Sequence, residues 1–98
     1  MSATVIFSVR AEKHVENIAL ELADRSRRAS REFVSEVRTR VEQLAQFPES
    51  GHVYDDETRR VFVRGGLYSL LYEFDDVANV VTIIGCFNNR SDAAKWSY

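Results

Sequence analysis

The sequence LAQFPESG, residues 44–51, ends a long amphipathic helix and leads into strands, an order of elements that few small folds share. Pro48 cannot continue a helix and disfavours helical geometry at Phe47, so the pattern predicts a helix end at about Gln46. Two further stretches follow, RRVFVRGGLYSLLYEFDD over residues 59–76 and NVVTIIGCF over residues 79–87. Both are rich in β-branched and aromatic residues and are bounded by turn residues, which predicts three closing strands.

The residues before this break predict one strand and two helices. Residues 4–9 (TVIFSV) are β-branched and aromatic and favour a first strand. From Ala11 the apolar residues recur with a helical period, which predicts a first helix ending near Arg25. Ser26 is a good N-cap for a second helix, and Ser30 is a competing one. The second apolar stripe consists of Phe33, Val34, Val37, Val41, Leu44 and Ala45, and we expect Val41, Leu44 and Phe47 to be core residues.

The closing residues predict a hairpin and a final strand. Gly65 and Gly66 suit a two-residue primed turn between strands at 60–64 and 67–74. Residues 75–79 predict a second turn. Residues 52–58 are short and polar and predict a loop, and Gly51 allows the chain to turn into it. The nearly unbroken apolar run at 80–87 predicts a strand in the middle of the sheet with both faces covered. Together the elements predict an α+β fold in which an antiparallel helix pair lies on one face of a mostly antiparallel sheet.

Length and composition place the chain among small globular proteins. Its 98 residues, 45% of them hydrophobic, are enough for one domain over residues 1–98. The apolar run near residue 80 is far shorter than a membrane helix, and the N-terminus lacks the features of a secretory signal, so we expect a cytoplasmic protein without membrane contact. Cys86 is the only cysteine, and its pattern with two distant histidines predicts no metal site; nothing in the sequence calls for a cofactor.

The basic residues are distributed unevenly. The formal net charge of −2 argues against a surface that grips nucleic acid without specificity. Eleven of the thirteen basic residues are nevertheless arginines, whose planar fork of donors suits carboxylates and phosphates alike. Four of them fall on predicted strands or strand exits: Arg59, Arg60, Arg64 and Arg90. A local basic patch is therefore compatible with the acidic balance.

The ordered set of these features resembles the RelE/ParE superfamily of toxins from bacterial toxin–antitoxin pairs. The resemblance covers nearly the whole chain. It rests on the first-helix spacing, the end of the second helix, the strand phrase and the closing segment, that is, on Ala11, Val15, Ile18 and Leu22; Leu44, Phe47, Pro48 and Gly51; Arg59, Arg60, Val61, Tyr68, Leu70 and Tyr72; and Asn89, Arg90, Ser91, Asp92 and Trp96.

The resemblance implies a toxin neutralised by a cognate antitoxin, and the ParE-like branch is favoured. Toxins of that branch are associated with inhibition of DNA gyrase and are not enzymes. On this interpretation the target-binding residues are Arg59, Arg60, Arg64, Arg90 and Trp96. The antitoxin is expected to be a short, acidic chain that folds a helix beside the two toxin helices and adds a strand to a sheet edge.

Two alternatives stay open. The RelE-like branch cleaves messenger RNA in the ribosome without a metal, and the residues available for that chemistry are Arg59, Arg64, Arg90, Tyr98 and His52. The position that often holds a histidine in that branch aligns with Asn88, and asparagine cannot exchange a proton near neutral pH. A relative that binds its antitoxin without being toxic is the other alternative. Tyr68, Leu70, Tyr72 and Phe74 alternate on one strand face, which favours core packing over a base-stacking platform.

Overall fold

The structure, a computed structural model, describes residues 2–90. Within that range the chain forms two helices and five strands: β1 (Thr4–Phe7), α1 (Val9–Arg25), α2 (Arg27–Gln46), β2 (His52–Val53), β3 (Thr58–Val63), β4 (Tyr68–Asp75) and β5 (Val80–Asn88). The strand order in the sheet is β1-β5-β4-β3-β2. Within residues 2–90, β1 and β5 pair in parallel and the other neighbouring strands pair antiparallel. The predicted α+β architecture with a mostly antiparallel sheet is confirmed.

The first strand and helix meet earlier than the sequence pattern indicates. The Ser8 hydroxyl accepts a hydrogen bond from the Ala11 N–H at 3.0 Å and so caps α1, which begins at Val9. The strand predicted over residues 4–9 therefore ends at Phe7. No helix within residues 2–90 combines the length and the apolarity that crossing a bilayer requires.

Ser26 joins the two helices with very little chain between them. Its backbone N–H donates to the Leu22 carbonyl at 2.8 Å and completes α1, while its hydroxyl accepts from the Ala29 N–H at 3.1 Å and starts α2. Ser26 is thus the N-cap that the sequence predicts. Ser30, the competing candidate, instead donates its hydroxyl to the Ala19 carbonyl at 2.7 Å and ties the helices together.

The paired glycines form the predicted turn between β3 and β4. Val63 pairs with Tyr68, and the Leu67 N–H donates to the Arg64 carbonyl at 3.2 Å across Gly65 and Gly66. Both glycines have a positive φ, 62° and 94°, which a primed turn requires. Arg64 also has a positive φ of 54°, and its N–H donates to the Glu36 carboxylate on α2.

The final strand lies between β1 and β4, so its predicted central position is correct. Its coverage is uneven: Val81, Ile83 and Cys86 are buried, whereas the residues between them are mostly half-buried. A register shift opposite Leu71 and Tyr72 lets β5 change its alternation. The predicted loop at 52–58 contains one further short strand, β2, which pairs with Arg59 and Arg60 at the edge of the sheet.

The core lies between the helices and one face of the sheet. Tyr68, Leu70 and Tyr72 are buried in it and Phe74 is half-buried against it, so the interpretation as core packing is confirmed. Leu44 is also fully buried and Val41 is half-buried.

The prediction that Phe47 is a core residue is wrong, since the side chain is 62% exposed. The backbone leaves helical geometry at Phe47, with φ −131° and ψ 74°, so the apolar stripe of α2 does not extend to it.

We expect Leu44→Ala to lower the free energy of unfolding by about 2–5 kcal/mol, because a fully buried leucine loses its contacts and leaves a cavity. Phe47→Ala should change it by no more than about 0.5 kcal/mol, the usual range for an exposed site. Urea unfolding of the two variants beside the wild type measures both values. Equal losses for the two variants would contradict the placement of Phe47 outside the core.

Candidate target-binding surface

One face of the sheet points away from the helices, and Arg60 lies on it. Val61 and Val63 are buried on the helix side, so Arg60 and Phe62 belong to the outer face by strand alternation. The Arg60 guanidinium lies 5.0 Å from the centre of the Phe62 ring. His52 pairs with Arg60 across the neighbouring strand, and its ring centre is 5.5 Å from that of Phe62. The Arg60 guanidinium and the His52 imidazole therefore both lie close to the Phe62 ring on the outer face.

Arg59 belongs to the opposite face and makes contacts within the protein. Its Nη1 donates to the carbonyls of Glu49 and Gly51, both at 3.0 Å. Its Nη2 lies 3.8 Å from the Glu49 carboxylate. The Arg59 side chain thus fastens the loop that follows α2 to strand β3.

Arg64 is likewise held against a helix. Its Nη1 lies 3.4 Å from the Ala29 carbonyl and 3.6 Å from the Glu32 carboxylate, both on α2. Since the Arg64 backbone N–H also bonds Glu36, two acidic residues of α2 fix the tip of the β3–β4 hairpin.

The remaining predicted contact residues lie at or beyond the end of β5. Arg90 is exposed, and its N–H donates to the Asn88 Oδ1 at 2.9 Å. Trp96 and Tyr98 lie outside the described residues. Of the predicted set, the structure thus brings Arg60 together with His52, while Arg59 and Arg64 are each held by a different part of the fold.

Asn89 has a role that the sequence pattern does not predict. Its Oδ1 accepts from the fully buried Ser69 hydroxyl at 2.9 Å, and its Nδ2 donates to the Gly66 carbonyl at 2.8 Å. The residue links the end of β5 to the glycine turn. The signal that could have indicated such a partner is Ser69, a small polar residue among the large apolar and aromatic residues of β4.

His14 also has a definite contact, which is with the backbone of the sheet. Its Nδ1 accepts from the Cys86 N–H at 3.2 Å, beyond the point where β1 stops pairing with β5. Its ring lies 5.1 Å from that of Phe87. Cys86 itself is buried and belongs to the core cluster.

Tyr72 on β4 holds the loop that follows α2 through two hydrogen bonds of its hydroxyl. Its buried hydroxyl donates to the Pro48 carbonyl at 2.7 Å and accepts from the Gly51 N–H at 2.9 Å. Burial raises the pKa of the Tyr72 hydroxyl, so the donated proton stays in place at neutral pH. A Cβ on Gly51 would lie 2.6 Å from the Tyr72 ring and hydroxyl, so this glycine is required for close packing; its φ is not positive.

Comparisons with known proteins agree with this fold. A family model described as the ParE toxin of the type II toxin–antitoxin system, parDE, matches residues 5–91. No curated protein sequence matches the chain significantly.

Among solved structures, the chain is similar to one from a chromosomal ParDE toxin–antitoxin system of P. aeruginosa, with a TM-score of 0.73 and 11% identity over 89% of this chain and 96% of that chain. It is similar to a mutant E. coli RelE toxin in the free state, with a TM-score of 0.69 and 15% identity over 98% and 93% of the two chains. For the RelBE2 toxin–antitoxin complex of Mycobacterium tuberculosis the TM-score is 0.62, with 21% identity over 90% and 92%. At these identities the likeness establishes the fold.

Tyr72→Phe should lower the free energy of unfolding by about 1–3 kcal/mol, because it leaves the buried Gly51 N–H without an acceptor. Since burial raises the folded-state pKa, the contribution of Tyr72 is fully present below the unfolded value of about 10 and is lost as the pH rises through the folded value. Urea unfolding at neutral and alkaline pH tests both statements. Tyr68→Phe, a change at another buried tyrosine, is the control and should cost much less. A cost for Tyr72→Phe no larger than this control would contradict the assignment.

Proposed function

The chain belongs to the family of ParE toxins of type II toxin–antitoxin systems, and from this premise we propose that it arrests growth by binding DNA gyrase in the cytoplasm. The match of the family model to residues 5–91 carries the proposal. A cognate antitoxin neutralises the toxin on this proposal. Among the similar solved structures are toxin–antitoxin assemblies of both the ParDE and the RelBE kinds, so the choice of target rests on the residues of the chain itself.

The positions of the arginines support binding over catalysis. Cleavage of RNA without a metal needs a base, an acid and cations that stabilise the charge on the phosphorus centre. Arg59 and Arg64 make hydrogen bonds to backbone carbonyls of the protein, so their donors are engaged within the fold. Asn88 accepts a hydrogen bond from the Arg90 N–H and has no proton to exchange near neutral pH. Arg60 lies on the outer face of the sheet, away from the helices, and for this reason it is the member of the predicted set that we place in contact with the target.

One observation favours the alternative, a ribosome-dependent messenger RNA endonuclease. His52 and Arg60 pair across β2 and β3 on the outer face of the sheet. An imidazole is suited to take a proton from a 2′-hydroxyl, and a neighbouring guanidinium is suited to stabilise the developing charge. On this alternative His52 would be the general base and Arg60 the electrostatic stabiliser.

The antitoxin surface that we propose is the outer side of the helix pair. Leu20 on α1 is 61% exposed, and Val34 is exposed on α2. Ile6 is exposed on β1, which is an edge strand of the sheet. An amphipathic helix on the helix pair and a strand added beside β1 are the established ways in which a disordered segment covers such surfaces. An interface of this kind should bury more than about 1,000 Å² in total.

The charge of α2 supports an antitoxin segment that is acidic. Arg27, Arg31 and Arg38 are exposed at spacings that place them on one side of α2, and they form no ion pair with any other described residue. Like charges four residues apart, and arginines at a helix N-terminus, both oppose helix stability. A partner with carboxylates along one helix face would relieve this repulsion.

Expression of the protein without its antitoxin should arrest growth, which would exclude the non-toxic relative. The purified wild type should inhibit supercoiling by purified gyrase and leave messenger RNA intact in a translating extract. Arg60→Ala should lower the inhibition by about tenfold or more, as expected for a contact residue. Cleavage of messenger RNA that His52→Ala abolishes would instead establish the nuclease, and growth arrest without either activity would refute both targets.

A further inference from the structure

An exposed phenylalanine stands at the end of α2. Phe47 is 62% exposed, while the other five phenylalanines of the chain are buried or half-buried. Val53 on β2 is a second exposed apolar side chain in the same part of the molecule, at 68%. Aromatic residues, phenylalanine among them, are enriched at protein–protein interfaces relative to the rest of the surface.

The loop that presents Phe47 is held in one conformation by the rest of the fold. Tyr72 bonds the carbonyl of Pro48 and the N–H of Gly51, as described above. Arg59 bonds the carbonyls of Glu49 and Gly51, and Gln43 donates its Nε2 to the Ser50 hydroxyl at 3.1 Å. Each residue from 48 to 51 is therefore fixed by a side chain from outside the loop. A loop that is held in this way loses little conformational entropy when it binds a partner.

The surroundings of the loop are strongly negative. A cleft of about 470 Å³ adjoins it and shares Glu49 with it. The carboxylates that line this cleft are Glu49, Asp55, Asp56, Glu57 and Asp76. Among the described residues that line the cleft, Arg59 is the one cationic side chain, and it contacts the carbonyls of Glu49 and Gly51 and the Glu49 carboxylate. Phosphates of a nucleic acid would be repelled here, whereas a basic protein surface would be attracted.

We propose that Phe47, Pro48, Val53 and the adjoining acidic cleft form a docking surface, the Phe47 surface, for a basic region of the target protein with an apolar recess that accepts the Phe47 ring. The identity of the occupant as the target rests on the proposed function. The antitoxin is a poor match because the arginines on the outer side of α2 call for an acidic segment. The two surfaces thus select partners of opposite charge.

The first test measures the affinity of purified gyrase for the wild type, Phe47→Ala and Leu67→Ala. Leu67 is 41% exposed and lies in the β3–β4 turn, whose Arg64 contacts the start of α2, at the opposite end of that helix from Phe47. Leu67→Ala is therefore the matched control. Phe47→Ala should weaken binding by at least about tenfold and the control should not. Thermal unfolding should be the same for all three proteins. Equal affinities with intact gyrase binding would refute the Phe47 surface and leave the proposed function standing.

The second test examines the charge of the cleft. The double change Asp56→Lys and Asp76→Lys should slow association with gyrase and reverse the effect of added salt on its rate, because rim charges act on the encounter step. An unchanged rate and salt dependence would overturn the charge argument.

If gyrase does not bind the wild type, growth arrest on expression of each variant is measured instead. Phe47→Ala should then still abolish the arrest, and persistence of the arrest would refute the Phe47 surface. If Phe47→Ala weakens binding of the antitoxin and leaves toxicity intact, the occupant is the antitoxin and the inference is wrong. A wild type that does not arrest growth would refute the proposed function, and with it the target as occupant.

Discussion

The Tyr72 hydroxyl is the contact on which the connection between helices and sheet depends. It lies beneath the helix end, where the chain must turn from α2 into the strands. Its donated bond satisfies the Pro48 carbonyl and its accepted bond satisfies the Gly51 N–H. An unpaired backbone group at a buried helix end is costly, so one hydroxyl that serves both groups removes the main obstacle to a tight turn. The absence of a side chain on Gly51 is what allows the tyrosine to come so close.

The arginines on and beside β3 show how similar residues acquire different roles from the strand period. Arg59 and Arg60 are adjacent in sequence, so their side chains point to opposite faces of the sheet. Arg59 meets backbone carbonyls of the loop after α2, whereas Arg60 lies over the Phe62 ring on the outer face. Arg64 follows the strand, where its guanidinium lies near the Glu32 carboxylate and its backbone N–H donates to the Glu36 carboxylate, both on α2. Of these three arginines, one therefore lies on the outer face of the sheet.

Local chemistry in the sequence is sufficient to predict most of the fold. The caps, the proline stop and the glycine pair act within a few residues, and the structure has Ser26, Pro48, Gly65 and Gly66 in the roles that their chemistry indicates. The exposure of Phe47 could not be predicted in this way, because the residue lies outside the helix and the loop that follows it is held by Tyr72 and Arg59, which are 25 and 12 residues further along the chain. The contacts of Arg59, Arg64 and Asn89 are likewise long-range, and no periodicity within one segment specifies which carbonyl or carboxylate such a side chain will meet. The candidate site was therefore predictable only as a set of residue types.

Helix α2 connects the proposed antitoxin surface to the Phe47 surface. With 20 residues it is about 30 Å long, with the arginines starting at its first turn and Phe47 just after its last. Both ends are fixed, one by the Ser26 cap and the other by the Tyr72 and Arg59 contacts, so the helix holds the surfaces at a constant separation. An acidic segment on the outer side of the helix pair would not contact Phe47 directly. Neutralisation of the toxin must then come from the bulk of the antitoxin or from an extension past the end of α2, since binding to the arginines alone leaves the phenylalanine accessible.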